Sequence, residues 1–184
     1  MDELGEALLV RARNAIATEF GILAAAPEPD HPRLKEPGAT FVTLTRNGEL
    51  RGCIGSIEAW RPLGDDIRAN ACAAAFRDPR FAPLARQELP QTRVEVSLLT
   101  RPEPIAFADE ADALRQLRPG VDGAVIEYGG HRGTFLPQVW DSLPEPKDFL
   151  VHLKEKAGLP PNFWAQDVRL LRYEVTKWKE PTIR

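Results

Sequence analysis

The 184-residue sequence is poor in the residues that most metal and redox chemistry needs, with two cysteines and three histidines. There is no Cys-x-x-Cys and no His-x-x-x-His, so the ligand spacings of common zinc sites are missing. A Cys-x-x-x-Cys-x-x-Cys run is also absent, which excludes an iron–sulfur cluster of that type. Cys53 and Cys72 lack the paired spacing of a secreted disulfide framework, which predicts free thiols in a reducing cytoplasm. The stretch Gly52-Cys-Ile-Gly55 opens no helix and carries no lysine, so it is no phosphate-binding P-loop. An excess of positive charge is lacking: 24 bases against 27 acids give a net charge of −3, with no basic block. Nothing electrostatic therefore recommends nucleic acid or an anionic membrane surface as partner. Residues 1–25 interrupt their apolar positions with Arg11, Arg13 and Glu19, which fits neither a signal peptide nor a membrane span. The expectation is a cytoplasmic protein with no metal and no cofactor.

What is present is ample apolar material, 43% of the chain, enough for one domain or two small lobes. Leu4, Leu8, Ala12, Ala15, Ile16, Phe20 and Leu23 recur at helical spacing and predict an amphipathic helix over 3–24. A proline-rich loop, 27–38, carries His31 and leads to an alternating strand, Phe41 to Thr45. Asn47-Gly48 then predicts a type I′ hairpin, because both residues tolerate positive φ. With a two-residue loop the pairs run from Arg46:Glu49 to Leu44:Arg51, Val42:Cys53 and Phe41:Ile54. That register puts Arg51 and Cys53 on one face with Val42 and Leu44, unless a bulge intervenes. Glycines in a strand mark a bulge, a bend or the close approach of another backbone. Gly52 and Gly55 around Cys53 therefore predict access to the thiol.

Downstream, Pro62 opens a helix whose buried stripe is Leu63, Ile67, Ala71 and Ala74, and whose small residues 69–75 allow close approach. Arg77-Asp-Pro-Arg-Phe81 is a corner, with Asp78 as a cap and Arg80 either bridging it or pointing at the strand. Thr92 to Leu99 alternates as a strand in which Glu95 faces outward, where it could meet Arg51 or Arg80. A link at 101–104 and a short helix from Asp109 to Leu117 mark a lobe boundary. A second hairpin pairs Tyr128 with His131 and Glu127 with Arg132 across Gly129-Gly130. Pro146 starts a helix that Gly158 ends, and Val168 to Trp178 reads as one strand returning to the main sheet.

Five ordered stretches carry a family resemblance: Leu50-Arg-Gly-Cys-Ile-Gly55, Phe76-Arg-Asp-Pro-Arg-Phe81, Glu95-Val-Ser97, Arg132-Gly-Thr-Phe-Leu-Pro-Gln138 and Lys156-Ala-Gly-Leu159. Together they resemble the AMMECR domain family, called AmmeMemoRadiSam system protein A in prokaryotes, over nearly the whole chain. The resemblance implies a two-lobed α+β protein, with mostly antiparallel sheets covered by helices. The larger lobe is expected over 1–104 with 165–184 and the smaller over 105–164. It also implies partnership with a Memo-like protein and a radical S-adenosylmethionine (SAM) protein.

Two kinds of function remain open. In one, Cys53 is a nucleophile or redox thiol in a groove between the lobes, with Arg51 and Arg80 steadying the thiolate or binding a small acidic substrate and Glu95 orienting an arginine. In the other, the same groove binds a partner through Leu50, Gly52, Ile54, Gly55 and Asp78, without chemistry of its own. His31, His131 and His152 are the available bases, and no sequence signal puts one beside Cys53. Asp148 and His152, one helical turn apart, are too few for a metal site.

Overall fold

A computed structural model of the chain describes residues 2–23 and 27–181. The chain divides into two units, Met1–Leu99 with Thr176–Arg184, and Thr100–Val175.

In the first unit, α1 (Glu3–Glu19) starts where the Asp2 carboxylate accepts the Gly5 N–H at 2.7 Å. It stops earlier than the expected residue 24, which itself lies outside the described residues. The backbone turns left-handed at Gly21, whose N–H donates to the Thr18 carbonyl while the Ile22 N–H donates to that of Ala17. This paired closure ends a helix whatever apolar residues follow. Strands β1 (Ala39–Arg46) and β2 (Glu49–Gly55) form the hairpin, with φ of 52° at Asn47 and 83° at Gly48. Helix α2 (Leu63–Phe76) buries Leu63, Ile67, Ala71 and Ala74. Burying each larger apolar side chain of that stripe stabilises the unit by about 1.5–3 kcal/mol. Strand β3 (Thr92–Leu99) pairs antiparallel with β1, and the sheet order is β2-β1-β3-β8, where β8 is Val175–Lys179.

The second unit holds β4 (Glu103–Pro104), α3 (Glu110–Gln116), β5 (Gly123–Tyr128), β6 (His131–Phe135), α4 (Pro146–Lys156) and β7 (Arg169–Tyr173). Its sheet order is β4-β7-β5-β6, with antiparallel pairing throughout. Phe149, Leu150 and Leu153 of α4 fill its core with Ile126 and Leu170. The stretch 168–178 is thus two strands rather than one. The ladder breaks at Glu174, whose N–H and carbonyl both bond Thr100, and β7 pairs with β5 while β8 joins the first sheet. The division accordingly falls after Leu99 and Val175, where the sequence placed it at 104 and 165. Among the described residues no helix is long and apolar enough to cross a membrane.

Candidate functional site

The hairpin keeps its expected register only for two pairs, Arg46 with Glu49 and Thr45 with Leu50. The pairing then slips, so that Leu44 faces Gly52, Thr43 faces Cys53, Val42 faces Ile54 and Phe41 faces Gly55. Arg51 is the extra residue, and one added residue turns every following side chain to the other face of the sheet. The expected association of Cys53 with Val42 and Leu44 is therefore corrected. It is Gly52 and Ile54 that lie on their buried face, while Cys53 is half-buried on the opposite face with its Sγ 3.3 Å from Thr43 Oγ1.

The slip also gives the glycines their occupants. A Cβ on Gly52 would lie 2.1 Å from the Ala74 carbonyl oxygen, so the close-approaching backbone is α2 of the same chain and not a visiting partner. A Cβ on Gly55 would enter the Phe41 ring at 2.2 Å. Ile54 packs against the core, and Leu50 is 43% exposed beside the turn.

Bulging out of the ladder frees Arg51 to reach Glu88, on the turn Arg86–Gln91. Its Nε and Nη2 donate to the two Glu88 carboxylate oxygens at 3.0 and 2.9 Å, and its Nη1 donates to the Ala82 carbonyl. Arg46 adds a 2.8 Å bond to the same carboxylate, which also accepts the Ala85 N–H. The Arg51 hydrogen bonds, followed by that of Ala85, lower the Glu88 carboxyl to about 2. The expectation that Arg51 steadies the Cys53 thiol is replaced by this bidentate pair.

Asp78 and Arg80 close on Cys53 from the open edge of β2, the outermost strand of its sheet. The buried Asp78 carboxylate accepts the Cys53 N–H at 2.9 Å, and Arg80 Nη2 donates to the Cys53 carbonyl at 3.3 Å. The two side chains are bonded to each other through Arg80 Nε and Nη2, at 3.0 and 2.7 Å. They occupy the hydrogen-bonding positions of a missing neighbour strand, which seals an edge that would otherwise pair with other chains. The Arg80 hydrogen bond holds the Asp78 carboxyl far below the usual carboxylate range, against the opposing effect of burial. Arg80 thus points at the motif, through the peptide of Cys53.

Glu95 meets neither arginine. It pairs with Lys179 at 2.5 Å and Lys177 at 3.9 Å, because β3 lies between β1 and β8. Each histidine is engaged elsewhere: His31 accepts the Arg33 N–H, His131 Nδ1 donates to the Ala157 carbonyl, and His152 Nδ1 to that of Asp148. Among the described residues, no three His, Cys, Asp or Glu side chains gather as a metal-ligand set.

Sequence reasoning missed two groups. Glu88 sits in a short turn with no periodic signal. Asp66, buried in the first turn of α2, accepts from Thr40 N–H and Oγ1, Ser56 Oγ, Arg61 Nε and Asn70 Nδ2 at 2.7–3.0 Å, fixing the chain just beyond Gly55. A signal for that network existed: Asp66 and Asn70 stand four apart among the apolar stripe positions 63, 67, 71 and 74.

Residues 9–178 match the family model described as AMMECR1. The chain belongs to the AMMECR1 family. A relative from Methanothermobacter thermautotrophicus is 43% identical over 146 residues, covering 76% of this chain and 74% of the relative. Protein SSO0193 of Saccharolobus solfataricus is 38% identical, over 97% of this chain and 82% of its own. Among solved structures, uncharacterized protein PH0010 from Pyrococcus horikoshii is similar, with a TM-score of 0.82 and 35% identity over 99% of this chain and 94% of that one. In this AMMECR1-family chain, then, the stretches Leu50–Gly55 and Phe76–Phe81 meet at the Cys53 peptide.

Proposed function

We propose that the protein is a partner component, acting in the cytoplasm with a Memo-like protein and a radical SAM protein through the surface at Leu50–Gly55. The observation that carries this reading is the commitment of both neighbouring arginines to carboxylates, Arg51 to Glu88 and Arg80 to Asp78. Those pairs fix the shape of the strand and leave Leu50 exposed beside it, which is how a recognition surface is preorganised. Leu50→Asp should abolish capture of the Memo-like protein at an unchanged melting temperature. Undiminished capture would overturn the reading.

A second reading, an enzyme using Cys53 as nucleophile or redox thiol on a small acidic substrate, is favoured by the half-buried Cys53, whose sulfur lies beside Thr43 Oγ1. It expects a thiol probe to label Cys53 faster than Cys72, whose thiol burial pushes up, with Glu19 adding to the effect. Equally slow labelling of both cysteines removes this alternative.

A further inference from the structure

Three arginines, Arg46 at the end of β1 and Arg51 and Arg80 beside β2, are linked through Glu88 and the Phe81 ring into one strip. Arg46 bonds Glu88 at 2.8 Å, and Glu88 bonds Arg51 at 2.9 Å. The guanidinium carbons of Arg51 and Arg80 lie 6.0 and 5.5 Å from the centroid of the same Phe81 ring, and Arg80 reaches the Cys53 carbonyl. The carboxylates beneath are sunk: the side chains of Asp78 and Glu88 are 2% and 13% exposed, against 54% and 39% for Arg80 and Arg46 at the two ends, while Arg51 between them is 15% exposed. At Arg46 and Arg80 solvent therefore meets guanidinium over buried acid. Arg46 uses Nε on Gln91 and Nη1 on Glu88, and Arg80 uses Nε and Nη2 on Asp78. Each keeps one Nη group with no hydrogen-bond partner among the described residues.

We propose that this strip docks an acidic, extended segment of the partner protein, with Leu50 seating an apolar side chain; the inference rests on the partnered reading above. The space at the hairpin tip favours protein carboxylates over nucleic acid. The depression at the hairpin tip, lined by Arg46, Asn47, Glu49, Leu50, Arg51 and Glu88, is about 340 Å³, room for a few side chains and not for a duplex. A guanidinium fork also matches a carboxylate in shape. Glu49, an exposed acid in the same lining, opposes such a ligand. This gives the inference a variant that should improve binding.

The test is fluorescence anisotropy of labelled decaglutamate with the full chain at low salt, with decathymidylate alongside and thermal melts to confirm folding. Decaglutamate should bind, the Arg46→Gln/Arg80→Gln double variant should weaken it roughly tenfold, and Glu49→Gln should tighten it roughly twofold. Should the double variant fail to fold, Arg46→Gln and Glu49→Gln alone decide, since they must move affinity in opposite directions. Absent decaglutamate binding, equal affinity across the variants, or tighter decathymidylate binding would each overturn the inference. Capture of the Memo-like protein that survives high salt would also remove it while leaving the partnered reading intact. Decaglutamate binding as expected, with no capture of the Memo-like protein, would instead remove that reading and keep the strip.

Discussion

The two hairpins carry the same kind of signal, a two-residue turn, and they behave differently. Across Gly129-Gly130 the ladder runs in register from Tyr128:His131 to Ala124:Phe135, as the turn dictates. Across Asn47-Gly48 it holds for two pairs and then slips. Each hairpin has an arginine on its return strand that seeks a carboxylate. Arg132 finds Glu127 directly opposite, at 3.3 Å, so pairing and register agree. Arg51 finds Glu88, which belongs to no strand and stands off the sheet, and reaches it from the bulge. Turn chemistry therefore sets register only where nothing outside the hairpin competes with it, and over Gly52 the backbone of α2 does.

A helix backbone presses on a glycine in both return strands, which makes the contrast measurable. At Gly52 an added Cβ meets the Ala74 carbonyl at 2.1 Å, whereas at Gly133 the nearest atom is the Ala157 amide nitrogen at 2.9 Å. Gly52→Ala should cost more than about 3 kcal/mol in urea unfolding, and Gly133→Ala about 1–2 kcal/mol, because overpacking against backbone leaves little room to relax. Equal losses at the two sites would mean that the slipped register does not hold Gly52 under α2.

The same contrast explains what could be read from the sequence. Signals carried by neighbouring residues were legible: both turns, the Leu63/Ile67/Ala71/Ala74 stripe, and the Pro146 start with the Gly158 end of α4. Features that depend on a distant partner were not. The strand from Val168 to Trp178 alternates without a visible break, and its division at Glu174 follows from bonds to Thr100, 74 residues away. In the site, the approach of Asp78 and Arg80 to Cys53 was half legible, since a proline corner must return the chain somewhere. The capture of Arg51 by Glu88 and of Glu95 by Lys179 was not, because charge pairing has no periodicity to betray it.

Removing each carboxylate separates the two hairpins by a smaller but more specific effect. The Glu127 pairs are exposed, and Glu127→Gln should cost less than about 0.5 kcal/mol. Glu88→Gln breaks a bidentate pair that is mostly buried and should cost about 1–2 kcal/mol at neutral pH. That difference must depend on pH in one direction. Glu88 binds protons more weakly in the folded chain than in the unfolded one, so its contribution is full above its ordinary value of 4.5 and is lost as pH falls towards about 2. Wild type and Glu88→Gln should therefore converge in stability over that window. The bulge itself should survive the substitution, because Gly52 remains pinned under Ala74 and fixes every pair beyond it. Hydrogen exchange should accordingly quicken at Leu50 and Arg51 and stay unchanged from Gly52 onward. Faster exchange along all of β2 would show that Glu88, and not the helix above Gly52, sets the register of the strand.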